Sequence, residues 1–256
     1  MSLKSLTNNL LLIKQKSIAD LISEARQGYI GILWWVAEPV LYMSVFYLIF
    51  VVLLHRGGKD NVAFLLTGMV VWKWFASSII QCAGCISLNI GLIRQVYVPK
   101  IIFPGTVLLT STIKFLIVFL LLVGFLMLTG KSPHVTWLSL PLLIFVQMLL
   151  MLALGSFLAA IVPFFPDLKL IVDNSMILLF FLSGVFFDVS SAPARLKAWL
   201  SLNPMAWIIL SYRQVLLNAS WPDWFFIATV CTLSLMLLIL DCMLLRRYDR
   251  VYAKMV

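Results

Sequence analysis

Long apolar runs broken by short polar segments recur along this chain from about residue 32 onward. A helix that crosses a bilayer needs about 20 mostly apolar residues, because lipid offers the backbone no water to bond. Six stretches meet or approach that length: 32–54, with Glu38 its only charge, then 62–88, 104–129, 137–162, a shorter 170–187, and 224–245. Pro104 and Pro141 sit near helix starts, where a missing N–H costs little. Pro163 and Pro166 close the fourth run, and Pro39 is expected to kink the first. The pattern predicts an all-α integral membrane fold of six transmembrane helices.

Residues 1–28 carry a different period. Leu3, Leu6, Leu10, Ile13, Ile18, Leu21, Ile22 and Ala25 recur at three- and four-residue steps, with Lys4, Lys14, Lys16, Asp20 and Glu24 largely between them. This is an amphipathic helix, expected to lie along the cytoplasmic interface with its lysines reaching lipid headgroups. No cleavable signal peptide is expected: the first apolar run is too long for an h-region and no small-x-small site follows it. Residues 29–256 then form a single transmembrane domain.

Composition supports this division. Of 256 residues, 63% are apolar and 11% charged, against about 45–50% and about 25% in soluble domains. A soluble domain, a disordered chain and a disulfide scaffold are excluded. The formal charge of +9 reads as a cytoplasmic excess of basic residues and not as a nucleic-acid surface. With six spans both termini share one side. That side holds eleven lysines and arginines, the other six (Arg213 among them), and Lys73 and Lys114 remain within spans, which places both termini in the cytoplasm. Cys82, Cys85, Cys231 and Cys242 all fall in apolar runs and read as small packing residues, with no metal or disulfide implied.

Residues 188–223 form the longest segment outside the spans, too apolar for a solvated loop. Two short helical pieces fit, 194–202 and one beginning after Asn203-Pro204 and reaching about Leu217. Neither can cross a bilayer alone. Together they suit a re-entrant helical pair dipping in from the outer face, or a hairpin lying flat on it.

Four stretches in register resemble the membrane subunits of type-2 ABC exporters that move polysaccharides, the O-antigen, capsule and teichoic-acid permeases. They are the Gly31–Pro39 segment GILWWVAEP, the Phe64–Trp72 segment FLLTGMVVW, the Asn89–Lys100 segment NIGLIRQVYVPK, and a set running from Pro166-Asp-Leu-Lys169 through Leu182-Ser-Gly-Val-Phe-Phe187 to Leu202-Asn-Pro-Met-Ala206 and Tyr212-Arg213. Where the family often has Ser-Pro-Val, this chain has Ser183-Gly184-Val185.

The resemblance implies a permease half without a cofactor of its own: a homodimer of this chain joined by two separate subunits that hold ATP and Mg, in the bacterial inner membrane. It further implies that Asn89, Leu92, Ile93, Arg94, Val96, Tyr97, Pro99 and Lys100 dock on the ATPase as a coupling element. Gate helices would lie in 188–223, carrying Arg195, Trp199, Asn203, Pro204, Trp207, Tyr212 and Arg213. The residues fit independently in one respect. No phosphate-cradling glycine loop occurs, so this chain is not expected to be an enzyme and must borrow its motor.

A path for a sugar polymer should be smooth and aromatic, since ring faces contact sugar C–H surfaces with little directional demand. Trp35, Tyr42, Phe46 and Phe50 fall at steps of seven, four and four on the first span, and the fifth adds Phe180, Phe181, Phe186 and Phe187. Met43, Met69 and Met176 could pack between them, and Trp34, Trp137, Trp221 and Trp224 read as belt anchors. Charges inside spans are costly and mark function. Lys114 is assigned to the path and expected to face protein or water. Lys73 is expected to snorkel to the outer surface, and Asp173 and Asp241 to lie at the cytoplasmic interface. The function that the resemblance implies is export of a lipid-linked polysaccharide, O-antigen in class. Two other classes are weighed: a membrane transferase, for which His55 and His134 supply no convergent acid–base set, and an ion-coupled carrier, for which no internal repeat is visible.

Overall fold

A chain that must satisfy its own backbone away from water does so in helices, and every element described here is one. The structure, a computed structural model, describes residues 3–26, 34–49, 59–95, 98–188, 193, 200 and 202–252. In chain order these form α1 (Leu3–Arg26), α2 (Trp34–Tyr47), α3 (Lys59–Leu88), the short α4 (Ile90–Gln95) and α5 (Ile102–Leu128). A 3-10 turn (Val135–Ser139) then leads into α6 (Leu140–Ile161), followed by α7 (Asp167–Leu182), α8 (Pro204–Leu216) and α9 (Trp224–Tyr252).

Among the described residues four stretches are long and apolar enough to cross a membrane: Asn61–Gln95, Ile102–Leu128, Val135–Ile161 and Trp224–Asp241. They coincide with the second, third, fourth and sixth runs. At 27 residues α5 is about 40 Å long, more than the roughly 30 Å hydrocarbon core. The first run contains α2, 14 residues that continue through Pro39. The fifth contains α7, whose 16 residues reach about 24 Å.

That helix stops early for a local reason. Ser183 Oγ donates to the Leu179 carbonyl at 2.6 Å, and Gly184 turns to φ +71°, a left-handed conformation that glycine adopts freely and proline cannot. A proline at position 184 would not fit this turn.

The central helix is α3, with α5, α6, α7 and α8 packed against it and α9 against α6. Trp74 stacks on Phe115 with ring centroids 3.9 Å apart, Phe119 continues the row, and Tyr212 of α8 closes it edge-on at 6.1 Å. A Cβ added to Gly155 of α6 would lie 2.8 Å from Cys82 Sγ, so Cys82 does serve as a packing residue at a close α3–α6 crossing. Polar groups in this core bond across helices: Gln147 Nε2 donates to the Val71 carbonyl at 3.0 Å, and Ser78 Oγ to Ser111 Oγ at 2.8 Å. Asp241 closes the last apolar stretch, Trp224–Asp241. It is buried on α9, where Ser156 Oγ of α6 donates to it at 2.7 Å; tight α6–α9 packing replaces water with a hydroxyl.

The N-terminal helix runs alongside α5. Ile13 abuts Gly105, Ser17 Oγ donates to the Thr106 carbonyl at 3.2 Å, and Glu24 forms an ion pair with Lys114. Contacts that advance together along both helices mean that the two run in the same direction. Ser17 and Asn9 are buried while Leu10, Ile18 and Ile22 are exposed, so α1 turns its polar-dotted face to the protein and an apolar face outward.

Candidate functional site

The ends and faces of α1, α2, α3, α5 and α7 surround a half-open cavity of about 590 Å³. Its walls are aromatic for a reason visible in the helix register. Trp34 and Trp35 come from the first turn of α2 and Tyr42 from two turns further on, Trp72 and Trp74 from α3, Phe115 from α5 and Phe180 from α7. Met69 and Met176 line the cavity beside the rings, and so does Trp34.

Charge enters this chamber from four directions. Lys114 Nζ pairs with Glu24 and lies 5.4 Å from the centre of the Trp35 ring. Lys73 Nζ sits over the Tyr42 ring at 4.5 Å and lines the cavity. An aromatic face within reach offers the ammonium a partner without a long detour. Asp173 lines the chamber too and is answered by Lys169 at 3.4 Å, one turn away. Lys114 thus faces protein and cavity.

Of the residues assigned to the path, Trp35, Tyr42, Phe180 and Lys114 meet in this cavity. The Phe46 side chain and Phe50 lie outside the described residues. Phe181 and Phe186 join Phe180 in a cluster beyond the chamber wall, with Phe180–Phe186 centroids at 4.9 Å and Phe181–Phe186 at 5.7 Å. Phe187 packs instead on Leu200 and Ala206.

Among the gate residues, Asn203 caps α8: its side chain accepts from the Met205 N–H at 3.0 Å and donates to Ser183 Oγ at 2.8 Å, while Pro204 supplies the first helical position. Trp207 stacks on Phe226 of α9 at 3.6 Å. Arg195 and Trp199 lie outside the described residues.

Arg213, assigned to the gate and counted on the outer side, lies inside the helix packing. It is 4% exposed, and its guanidinium donates to the carbonyls of Phe64 (3.1 Å), Gly184 (2.6 Å) and Val185 (2.7 Å). The same group lies 3.3 Å from the centre of the Phe64 ring. One side chain therefore ties α8 to the first turns of α3 and to the bend after α7. Two glycines make room: Gly184 by its turn, and Gly68, where a Cβ would come within 2.5 Å of Arg213 Nη2.

Residues 89–95 of the segment assigned to coupling form a short break and a six-residue helix. Asn89 Nδ2 donates to the Cys85 carbonyl at 2.8 Å and breaks α3 from the six-residue α4. Ile93 is buried among Cys85, Ile86, Phe103 and Ala159, while Leu92 and Arg94 are exposed and Pro99 is half-buried. Lys100 points inward, 4% exposed, and donates to the Val98 carbonyl at 3.3 Å, so it is not displayed toward a partner. Val96 and Tyr97 lie outside the described residues.

Sequence reading missed Glu24 as a site residue, along with Trp72, Trp74 and Phe115. Glu24 looked like one more charge on an amphipathic helix, and nothing local reveals a partner 90 residues away.

These features agree with the comparisons to known proteins. The family model for the ABC-2 type transporter matches residues 17–217, and the chain belongs to that family of transporter membrane proteins. An O-antigen export system permease protein, RfbA, of Myxococcus xanthus is 30% identical over 208 residues, covering 80% of this chain and 79% of the relative. RfbA of Klebsiella pneumoniae is 26% identical over 202 residues, 78% of each chain. The polysialic acid transport protein KpsM of Escherichia coli is 25% identical over 191 residues, covering 73% of this chain and 74% of the relative.

Proposed function

We propose that this chain is the permease half of an ATP-driven exporter that moves a lipid-linked polysaccharide, O-antigen in class, across the bacterial inner membrane. The observation that carries the reading is the chamber. Aromatic faces from α2, α3, α5 and α7 meet around about 590 Å³ in a protein with at least four membrane-length helices. Rings of this kind hold sugar faces loosely enough for a polymer to slide.

In this reading the transmembrane domain has six spans, α2 and α7 supplying the first and fifth, with both termini in the cytoplasm. The exposed apolar face of α1 meets lipid. Residues 188–223 form a re-entrant pair whose second arm is α8, fastened at the outer mouth by Arg213. Two copies of the chain assemble with two ATP-binding subunits. Those subunits press on the 89–100 segment, where Leu92 and Arg94 are outward and Ile93 anchors α4 to the ends of α3, α5 and α6. Such a short rigid lever passes motion between packed bodies.

The test is genetic and biochemical together. Deletion should abolish surface polysaccharide, and affinity purification of the tagged chain should bring down an ATPase subunit. Intact surface polysaccharide in the deletion strain, complemented or not, would sink the reading.

A further inference from the structure

Among the described residues four charged side chains line the chamber, and they are held differently. Asp173 is answered on its own helix by Lys169, and Lys73 lies over the Tyr42 ring. Lys114 is answered across the chain by Glu24, from the last turns of α1. That pair is not sealed: the two side chains keep 23% and 47% of their exposure, and both line the cavity. A carboxylate delivered from another helix onto a lysine in an open aromatic chamber stands where the anion of a ligand would stand.

We propose that Lys114 and Lys73 form a binding site for the phosphate headgroup of a lipid-linked saccharide, and that Glu24 is a built-in competitor occupying Lys114 until that headgroup arrives. The assignment rests on reading the chamber as the cargo path, and it names the part of the cargo that this place recognises. Lysine binds phosphate as a point charge on a flexible stem, so one ammonium can pass from carboxylate to phosphate without remodelling the wall. Beside it, Trp35 and Tyr42 offer faces for the first sugars. Displacing Glu24 removes one tie between α1 and α5 while Ser17 and Ile13 keep theirs. Headgroup arrival and the freedom of the end of α1 are thereby linked, each shifting the other by the same factor.

The opposite signs expected of two variants test this. The full chain in lipid nanodiscs is titrated with a long-chain isoprenyl phosphate, the isoprenol of equal length, and inorganic phosphate. The read-out is the fluorescence of the chamber tryptophans. The isoprenyl phosphate should bind at least about tenfold more tightly than the isoprenol, the value of one charge-assisted bond. K114Q should weaken it by about tenfold, and E24Q, which breaks the same pair, should tighten it. Should K114Q fail to fold, K73Q, which leaves the pair intact, should still weaken binding severalfold. Equal weakening in E24Q and K114Q would mean the pair only holds helices together, and would overturn the proposal. So would equal affinity for the isoprenol. Equal affinity for inorganic phosphate would overturn the assignment to a lipid headgroup. Unchanged binding in K114Q, while deletion still abolishes surface polysaccharide, removes the site and leaves the export reading standing. Binding as described, with polysaccharide intact after deletion, removes instead the identity of the cargo.

Discussion

Arg213 and Lys114 are both cations carried among apolar helices, where an unpartnered charge is expensive, yet the two regions answer that cost in opposite ways. Around Arg213 three backbone carbonyls from two separate segments accept from the guanidinium, the Asp188 carboxylate adds a favourable charge, and the group is 4% exposed. Backbone acceptors cannot swing away, and the planar fork of arginine matches several at once. Lys114 has a side-chain carboxylate as its partner and an open chamber beside it. A flexible ammonium facing a flexible carboxylate is an exchangeable contact. The nature of the acceptor thus separates a clasp that holds the architecture from a charge left available for cargo.

The contrast can be broken most forcefully at the clasp. R213A leaves three carbonyls without their donor in a dry interior and should cost about 3–5 kcal/mol, read as a large fall in detergent Tm or as loss of the protein from membranes. G184P replaces a residue at φ +71° with one restricted to about −65° and should cost about 3 kcal/mol in the same measurement. G68A introduces a Cβ 2.5 Å from Arg213 Nη2 and should cost about 1–3 kcal/mol by pushing the guanidinium off its acceptors. Chamber substitutions should behave inversely. Y42A, at a residue 48% exposed, should move Tm by less than about 1 kcal/mol equivalent. It should nevertheless lower surface polysaccharide by about two- to tenfold, the value of one ring contact. A clasp variant with normal Tm, or a chamber variant that unfolds, would erase the distinction.

How much of this was legible beforehand varies by element. Runs 62–88, 104–129, 137–162 and 224–245 reappear nearly to the residue as α3, α5, the 3-10 turn with α6, and the first part of α9. The Asn203-Pro204 break was equally readable, because cap chemistry is local: Asn accepts from a backbone N–H two residues on, and proline opens the helix. The early end of α7 was not, since it depends on Gly184 taking a left-handed turn within a run that remains apolar to Phe187. The chamber was half visible. The α2 stripe placed Trp35 and Tyr42, and Lys114 stood out as a charge in a span, but what Lys73 and Asp241 touch was not readable. Each has its partner on another helix, Tyr42 for one and Ser156 for the other.

By itself the order of apolar and polar residues determined that this is a helical membrane protein and where most of its long helices begin and end. These are consequences of short-range facts: hydropathy over a turn or two, caps, prolines and spacing. Only the folded arrangement decided which charges are structure and which are site. Arg213 with Phe64, and Lys114 with Glu24, are contacts between residues 149 and 90 positions apart, formed only where helices happen to cross, and no local pattern encodes a crossing.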